Sequence, residues 1–173
     1  MPPLTKEQSM HLRSVDEINW DTWTAVDIAT LLFVFRQRDV LLIRKRRGLG
    51  AGKINAPGGR VEEGETIEQA AVREVVEEVG VTPLEPVYKG ENRFQFTDGY
   101  SLHIHIFTSA SFVGEPITTE EAIPLWYPVS AFPFDEMWVD DALWIPLMMR
   151  GERFSGRFIF QRETMLSYSL SPA

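Results

Sequence analysis

The chain has 173 residues, enough for one domain with a sizeable core, and 44% of them are hydrophobic while 24% are charged. A formal net charge of −8 argues against nucleic-acid binding driven by general electrostatics, and the absence of cysteine excludes disulfides, thiolate zinc sites and cysteine nucleophiles. The longest apolar run, 28–35, is far shorter than the roughly 20 residues that cross a bilayer. Residues 1–20 lack the apolar segment of a signal peptide, so we expect a cytoplasmic protein.

The N-terminal residues show no clear hydrophobic period, and they fit either a loose extension or a short capping helix around 5–14. We predict an N-terminal extension over residues 1–23 and a single domain over residues 24–173. Residues 25–35 are apolar and partly β-branched, which predicts a buried strand. A polar turn and the apolar residues 40–43 complete a predicted β-hairpin.

Residues 44–53, RKRRGLGAGK, combine five basic side chains with three glycines. Such a run is often a solvated loop, but glycines also let a backbone approach an anion closely. Beside the motif described next, we favour a flexible basic loop close to a phosphate site. Residues 54–57 predict a short strand that leads into a tight turn at Gly58 and Gly59.

A helix is predicted within residues 59–81, GRVEEGETIEQAAVREVVEEVGV. Thr66 is a good N-cap, and Gln69 three residues later completes a capping box. Gly80 is well placed to end the helix, because glycine adopts the left-handed conformation that a C-terminal cap requires. The predicted helix therefore runs from Thr66 to about Val79.

Two separate faces are predicted on this helix. The core-facing stripe recurs every four residues and consists of Ile67, Ala71, Val75 and Val79. Glu74, Glu77 and Glu78 lie off that stripe at spacing i, i+3 and i+4, which stacks three carboxylates on one face. Such a triplet is usually a solvated surface. Packing against the core does not explain it here.

Beyond the helix the chain returns to strands. Residues 87–96 alternate loosely, Asp98-Gly99 marks a hairpin turn, and residues 102–107 alternate cleanly. His103 and His105 share one face of the second strand, where they could ligate zinc. We favour the polar face of a half-buried strand, because no third nitrogen or sulfur ligand is in sight.

The C-terminal part joins an aromatic and acidic segment to a helix and a closing hairpin. The segment is SAFPFDEMWVDDALW over residues 130–144, and residues 140–149 predict a helix with a proline near its first turns. Residues 157–161 and 165–170 predict the hairpin. No repeat and no interdomain linker occurs, so we predict one α/β/α domain built on a mixed sheet.

The turn and the helix carry a known family signature. The residues that define it are Gly59, Glu65, Arg73-Glu74-Val75, Glu77-Glu78 and Gly80-Val81. At every defined position they resemble the Nudix hydrolases. The resemblance implies an α/β fold, the Nudix α/β/α sandwich with a mixed β-sheet, and hydrolysis of a phosphorus anhydride bond. It also implies Mg²⁺ as cofactor, with Mn²⁺ as an alternative. A hard cation on carboxylate oxygens can bridge phosphate oxygens and acidify a bound water.

The same resemblance assigns roles around the metal. It implies the metal ligands Gly58 (through its carbonyl), Glu74, Glu77, Glu78 and Glu121. Arg73 would orient the carboxylates through ion pairs, and Glu65 would tie the loop to the helix. The general base stays open among Glu77, Glu78 and Glu121. Because crowded carboxylates repel one another, we predict that metal binding releases protons at mildly acidic pH.

From about Thr30 to Leu170 the chain resembles one Nudix subgroup, the oxidised purine nucleoside triphosphatases of the mammalian MutT-homologue type (8-oxo-dGTPase). The likeness includes KRRG at 45–48, GAG at 50–52, MW at 137–138 and DD at 140–141. It implies substrate contacts by Thr30, Lys45, Asn55, Pro57, Gly58, Gly59, Arg60, Phe94, Phe96, Trp138, Asp140 and Asp141. Within this set, the amide and the two aspartates would read the base edge and the tryptophan would stack on the base.

Several of these residues have simpler explanations. For Trp144 we favour core packing, whereas for Trp138 we favour stacking on a base. Asp140-Asp141 could be an N-cap pair for the following helix, and one of the two could still read a base. An aspartate kept protonated in an apolar pocket can donate a hydrogen bond, which would suit both oxidised guanine and oxidised adenine. Where the subgroup commonly has aromatic residues, this chain has Leu49, Ile54 and Pro57.

We therefore predict a Mg²⁺-dependent Nudix pyrophosphohydrolase that sanitises the nucleotide pool. It would cleave purine nucleoside triphosphates, such as 8-oxo-dGTP or 2-oxo-dATP, to the monophosphate and pyrophosphate. The alternatives are a Nudix hydrolase of unmodified nucleotides, nucleotide sugars, dinucleotides or capped RNA, and a non-catalytic nucleotide-binding domain. We expect a monomer that needs neither nucleic acid nor membrane as a partner.

Overall fold

The computed structural model describes all 173 residues, and they cluster into two units. The first unit comprises Met1–Ile28, Lys89–His105 and Val139–Ala173, and the second comprises Ala29–Tyr88 and Ile106–Trp138. None of the helices is both long and apolar enough to cross a membrane.

Three α-helices and eleven strands follow one another along the chain. In chain order they are α1 Lys6–Ser9, β1 Asp27–Arg36, β2 Asp39–Lys45, β3 Ile54–Asn55, β4 Gly58–Arg60, α2 Ile67–Val79, β5 Thr82–Leu84, β6 Val87–Phe96, β7 Ser101–Ser109, β8 Ser111–Val113, β9 Ala122–Pro128, α3 Asp141–Met149, β10 Phe154–Gln161 and β11 Thr164–Pro172. Single 3₁₀ turns occur at Val15–Glu17 and Phe134–Glu136.

The second unit is built from antiparallel pairs around β1 and β2. The predicted hairpin is confirmed, since β1 pairs with β2 from Val34↔Leu41 to Arg36↔Asp39. β2 also pairs with β9 and β3, and β4 pairs with β1. The stripe predicted on α2 is confirmed too, because Ala71, Val75 and Val79 are fully buried among side chains of these strands. Each such aliphatic side chain stabilises the fold by roughly 1.5–3 kcal/mol, less for alanine.

Both predicted ends of α2 are confirmed. Thr66 Oγ1 accepts from the Gln69 amide at 3.1 Å, and Gln69 Oε1 accepts from the Thr66 amide at 2.8 Å. This reciprocal pair is a capping box, and it satisfies two backbone donors that a helix start leaves open. Gly80 ends the helix with φ 73°, in the left-handed region.

The prediction of a tight turn at Gly58 and Gly59 is wrong. These residues form strand β4, with Leu31↔Gly58 and Thr30↔Gly59 as partners on β1. Their missing side chains serve close approach, because a Cβ at Gly58 would collide with the Thr30 carbonyl oxygen. A Cβ at Gly59 would instead meet the carboxylate of Glu74, the flexible end of a side chain.

The first unit contains a mixed sheet, as predicted. Its strands lie in the order β11-β10-β6-β7, where β10 runs parallel to β6 and antiparallel to β11. The closing hairpin is longer than predicted at both strands. Aromatic rings stack between β6 and β10, with the Phe94 and Phe158 centroids 5.0 Å apart.

The N-terminal residues pack onto the first unit. Of the two alternatives that the sequence leaves open, a short helix is present, and α1 has four residues with a capping box at Thr5, fewer than the range 5–14 considered for it. Leu12, Val15 and Trp20 form a buried cluster with Ile159 of β10. Since these side chains are buried, the segment is an integral part of the first unit's packing. The division between an extension and a domain at residue 24 stays a prediction.

The predicted C-terminal helix is present as α3, with Pro146 inside it. Trp144 is 1% exposed and stacks on Phe154 at 5.4 Å between ring centroids, the core role that we favour for it. Asp140 occupies the N-cap position, but its side chain makes no cap hydrogen bond. The N-cap explanation therefore does not account for Asp140.

The two glycines of β4 give a matched test of close strand approach. We expect Gly58→Ala to lower the free energy of unfolding by about 3 kcal/mol or more, because its Cβ meets rigid backbone. Gly59→Ala should stay folded, because the Glu74 side chain can move away. Urea unfolding of both variants checks this, and equal destabilisation would contradict the proposed difference.

Candidate functional site

Three carboxylates converge in the second unit. Glu74 and Glu78 come from α2, and Glu121 comes from the loop before β9. One oxygen of each lies within 4.8 Å of the other two. Glu78 is only 4% exposed, and its Oε1 accepts a hydrogen bond from the Gly58 amide at 3.2 Å. We call these three residues the carboxylate cluster.

Glu77 lies outside the carboxylate cluster. Its side chain is 52% exposed and pairs with Arg73 at 3.1 Å. Helix geometry explains the difference, because a helix turns by about 100° per residue. Glu78 therefore projects about 40° to one side of Glu74, and Glu77 about 60° to the other. A ligand role for Glu77 stays a prediction.

Arg73 lies in the middle of α2 and connects this helix to the loop and the strand that precede it. Its Nε and Nη2 donate to both oxygens of Glu65 at 2.9 and 2.6 Å, and Nη2 also donates to the Arg60 carbonyl at 3.0 Å. Nη1 donates to Glu74 at 2.9 Å. The hydrogen bonds from Arg73 lower the pKa of Glu65 to about 2. Arg73 therefore orients Glu74, a member of the carboxylate cluster. The N–H groups of its guanidinium donate to other residues of the protein.

Burial dominates the electrostatics of the carboxylate cluster. It raises the pKa of Glu78 to about 8, and the charges of Glu74 and Glu121 add to this rise. Burial also raises the pKa of Glu74. An all-oxygen donor set of crowded carboxylates fits a hard divalent cation. The Gly58 amide lies against Glu78, and a ligand role for the Gly58 carbonyl stays a prediction.

The basic loop has a contact that the sequence did not predict. Arg47 pairs with Glu121 at 2.9 Å, and the Arg46 amide donates to the Glu121 carbonyl at 2.9 Å. The Arg46 guanidinium also donates to the Thr119 carbonyl at 2.9 Å. These contacts hold the loop that carries Glu121. The sequence signal for this pairing is the opposite charge of residues 44–53 and residues 120–121. Because the two segments are far apart in the chain, the sequence does not show that they meet.

Four of the predicted base-contacting residues belong to the second unit: Thr30, Lys45, Asn55 and Trp138. Thr30 is 1% exposed, and its buried Oγ1 has no hydrogen-bond partner. A buried hydroxyl without a partner is costly, and a ligand would supply one. Lys45 Nζ donates to the Leu49 carbonyl at 2.8 Å. A Cβ at Gly50 would lie 2.8 Å from Trp138 Nε1, so the glycine loop packs closely on this ring.

The other four belong to the first unit: Phe94, Phe96, Asp140 and Asp141. Both aspartates are buried, at 2% and 3% exposure. Trp144 Nε1 donates to Asp140 Oδ2 at 2.9 Å, and burial raises the pKa of Asp140 to about 6. Asp140 can therefore take up a proton near pH 6. Phe96 packs on Phe160 with 5.8 Å between ring centroids. Among the remaining predicted substrate residues, Pro57 is buried and Arg60 is exposed.

Comparison with known proteins identifies the family of this chain. Residues 25–148 match the model of the NUDIX domain. The chain belongs to the Nudix family. It is similar to a zebrafish (Danio rerio) oxidized purine nucleoside triphosphate hydrolase, with 46% identity over 136 residues, 78% of this chain and 86% of the relative. The mouse (Mus musculus) protein of the same name is 42% identical over 144 residues, 82% and 92% of the two chains.

The predicted Nudix fold is confirmed by a solved structure. The crystal structure of a MutT protein from Bacillus halodurans superposes with a TM-score of 0.75 at 26% identity. The match covers 86% of this Nudix chain and 99% of the other. Nudix hydrolases use a divalent metal, and the carboxylate cluster offers suitable oxygens.

The raised pKa of Glu78 predicts proton release on metal binding. Below about pH 8 the metal-free carboxyl holds a proton, which must leave before the oxygens ligate a cation. Release should therefore extend through neutral pH, above the mildly acidic range that the sequence predicts, and fall off above pH 8. Calorimetric titration with Mg²⁺ in buffers of different ionisation enthalpy measures it. Glu68→Gln, which changes an exposed carboxylate on the same helix, should retain the release, and buffer-independent heats would contradict the prediction.

The raised pKa of Asp140 predicts that the free energy of unfolding depends on pH. Its pKa is about 6 in the folded protein against an ordinary 3.8, so ionisation destabilises the fold as pH rises through this window. Two pKa units correspond to about 3 kcal/mol. We expect Asp140→Asn to gain about that much relative to wild type between pH 4 and pH 7, measured by urea unfolding. The exposed Asp135→Asn is the control, and parallel curves for Asp140→Asn would disprove the effect.

Proposed function

We propose that this Nudix protein is a pyrophosphohydrolase that cleaves oxidised purine nucleoside triphosphates to the monophosphate and pyrophosphate. The observation that carries the proposal is the carboxylate cluster braced by Arg73, since its oxygens can hold the divalent cation that phosphorus anhydride hydrolysis needs. The substrate class follows the names of the zebrafish and mouse relatives, which are oxidized purine nucleoside triphosphate hydrolases.

The cofactor proposed is Mg²⁺, with Mn²⁺ as the alternative ion. Glu74, Glu78 and Glu121 would hold it, and Glu77 and the Gly58 carbonyl are proposed to complete the set. Bound there, the ion would polarise phosphate oxygens and acidify a water. The octahedral preference of Mg²⁺ leaves room for water and phosphate beside three protein carboxylates.

The chain's own residues divide the remaining work. Arg73 keeps Glu74 oriented through the 2.9 Å hydrogen bond, and Arg47 holds Glu121 at 2.9 Å. Glu78 is buried and its Oε1 accepts from the Gly58 amide, which supports the proposal that Glu78 is a ligand. The general base, which takes a proton from the attacking water, is then proposed to be a carboxylate with more water access, Glu77 or Glu121.

Base recognition is proposed on the resemblance to the subgroup. Asn55, Asp140 and Asp141 would read the base edge, and Trp138 would stack on the ring. The wider substrate set adds Thr30, Lys45, Pro57, Gly58, Gly59, Arg60, Phe94 and Phe96. The partnerless Thr30 hydroxyl supports a polar contact with a ligand. Burial raises the pKa of Asp140 to about 6, which supports an aspartate that takes up a proton and can donate a hydrogen bond as the pH falls towards 6. We further propose a monomer that acts on free nucleotides in the cytoplasm.

The test is a Mg²⁺-dependent pyrophosphate-release assay over ordinary, 8-oxo and 2-oxo purine triphosphates. We expect the oxidised forms to be cleaved with higher kcat/KM. Comparable values for dGTP and its 8-oxo form would reject the sanitising role and leave the reaction class standing. Nucleotide sugars, dinucleotides and capped RNA belong in the same screen, because turnover of these alone would favour the other Nudix activities.

A matched pair of variants tests the carboxylate cluster. Glu78→Gln removes a buried ligand, so we expect kcat/KM to fall by at least about 100-fold. Glu68→Gln changes an exposed carboxylate on the same helix and should leave activity unchanged. Loss of activity in both variants, or in neither, would contradict a specific role for Glu78. Circular dichroism of both proteins shows whether α2 remains folded.

A further inference from the structure

A second group of potential ligands lies in the first unit, on the neighbouring strands β6 and β7. It consists of Glu91, His103 and His105. One ligand atom of each lies within 4.8 Å of the other two. The sequence shows no third nitrogen or sulfur beside the two histidines. The third group is a carboxylate oxygen, which comes from the adjacent strand.

The three side chains are held in contact. His103 Nε2 lies 3.1 Å from Glu91 Oε2, and the two imidazole centroids are 4.3 Å apart. The side chains of His103 and Glu91 are 19% and 23% exposed, and His105 is 9% exposed. The group is therefore partly desolvated but open to an entering ion. Neither the proposed hydrolysis nor the predicted base contacts use any of these residues.

The spacing suits a small tetrahedral ion. Zn²⁺ binds imidazole nitrogen and carboxylate oxygen at about 2.0–2.2 Å, which places tetrahedral ligand atoms about 3.4 Å apart. The ligand atoms of the group lie within 4.8 Å of one another, with 3.1 Å between His103 Nε2 and Glu91 Oε2, which is close to this value. Three protein ligands would leave the fourth position to water.

Arg93 orients the carboxylate of the group. Its Nη2 binds the other oxygen of Glu91 at 3.1 Å, which leaves Oε2 directed at the histidines. Carboxylate ligands are commonly fixed by such an outer hydrogen bond. The guanidinium charge opposes any cation held by charge alone. An ion that bonds imidazole nitrogen is favoured over Mg²⁺, which prefers oxygen ligands.

We propose that Glu91, His103 and His105 form a site for Zn²⁺ or a similar divalent transition ion. The site also contacts the N-terminal segment, since the Trp23 ring lies edge-on to His103 at 6.3 Å between centroids. Trp23 Nε1 in turn donates to Gln95 Oε1 at 2.8 Å. A bound ion would fix the surface on which residues 1–28 pack. Metal binding therefore stabilises the first unit, because an ion that binds only the folded state adds to its stability.

Nitrogen-15 NMR of the imidazoles tests the proposal in the intact protein. The chain has three histidines, and the exposed His11 is an internal control. With excess Mg²⁺ present to occupy the carboxylate cluster, one equivalent of Zn²⁺ should shift the ring nitrogens of His103 and His105 and leave His11 unchanged. Unchanged resonances for both strand histidines, or equal shifts in all three, would overturn the proposal.

Variants supply an independent measurement. In calorimetric titrations with Zn²⁺ under excess Mg²⁺, His103→Gln should weaken binding at this site by at least about 10-fold, whereas His11→Gln should not change it. Zn²⁺ should raise the Tm of wild type and His11→Gln more than that of His103→Gln. Equal Zn²⁺ affinity in all three proteins would reject the site. If His103→Gln fails to fold, the NMR titration of the wild type still decides.

Discussion

The arrangement of the second unit depends on burying the Glu78 carboxylate beside two others. A buried carboxylate is costly unless it is neutral or paired, and the pKa of about 8 shows that this one favours its neutral form without a cation. The Glu78 carboxylate accepts one hydrogen bond from the backbone of β4, which the Gly58 N–H donates. The packing of α2 through Ala71, Val75 and Val79 supports this unfavourable placement.

Two arginines keep the other carboxylates in position. Arg73 joins Glu74 to Glu65 and to the Arg60 carbonyl, so it links the helix to the strand and loop before it. Arg47 joins Glu121 to the basic loop. The contacts are short and charge-assisted, which makes them stronger than neutral hydrogen bonds. A chain of net charge −8 therefore places positive charge locally around an acidic site instead of spreading it over the surface.

The sequence predicts structure correctly where the responsible contacts are themselves local. The capping box joins residues three apart, and the apolar stripe follows from helix periodicity, so α2 was predicted to within a residue at each end. The β1–β2 hairpin and β6 were found for the same reason. The turn at Gly58 and Gly59 was wrong because glycine also permits close strand approach, and only the neighbour Thr30 distinguishes the two uses.

The sequence by itself determined the family, the helix α2 and the type of chemistry, because the Nudix signature occupies one continuous stretch in which Glu74, Glu77 and Glu78 are neighbours on that helix. Tertiary structure decided which of the carboxylates implied by the resemblance meet. It brought Glu121 to α2 and left Glu77 with Arg73. It also placed Glu91 beside His103 from another strand. These pairings join residues distant in the chain, so they depend on how strands and loops pack together, which local periodicity does not reveal.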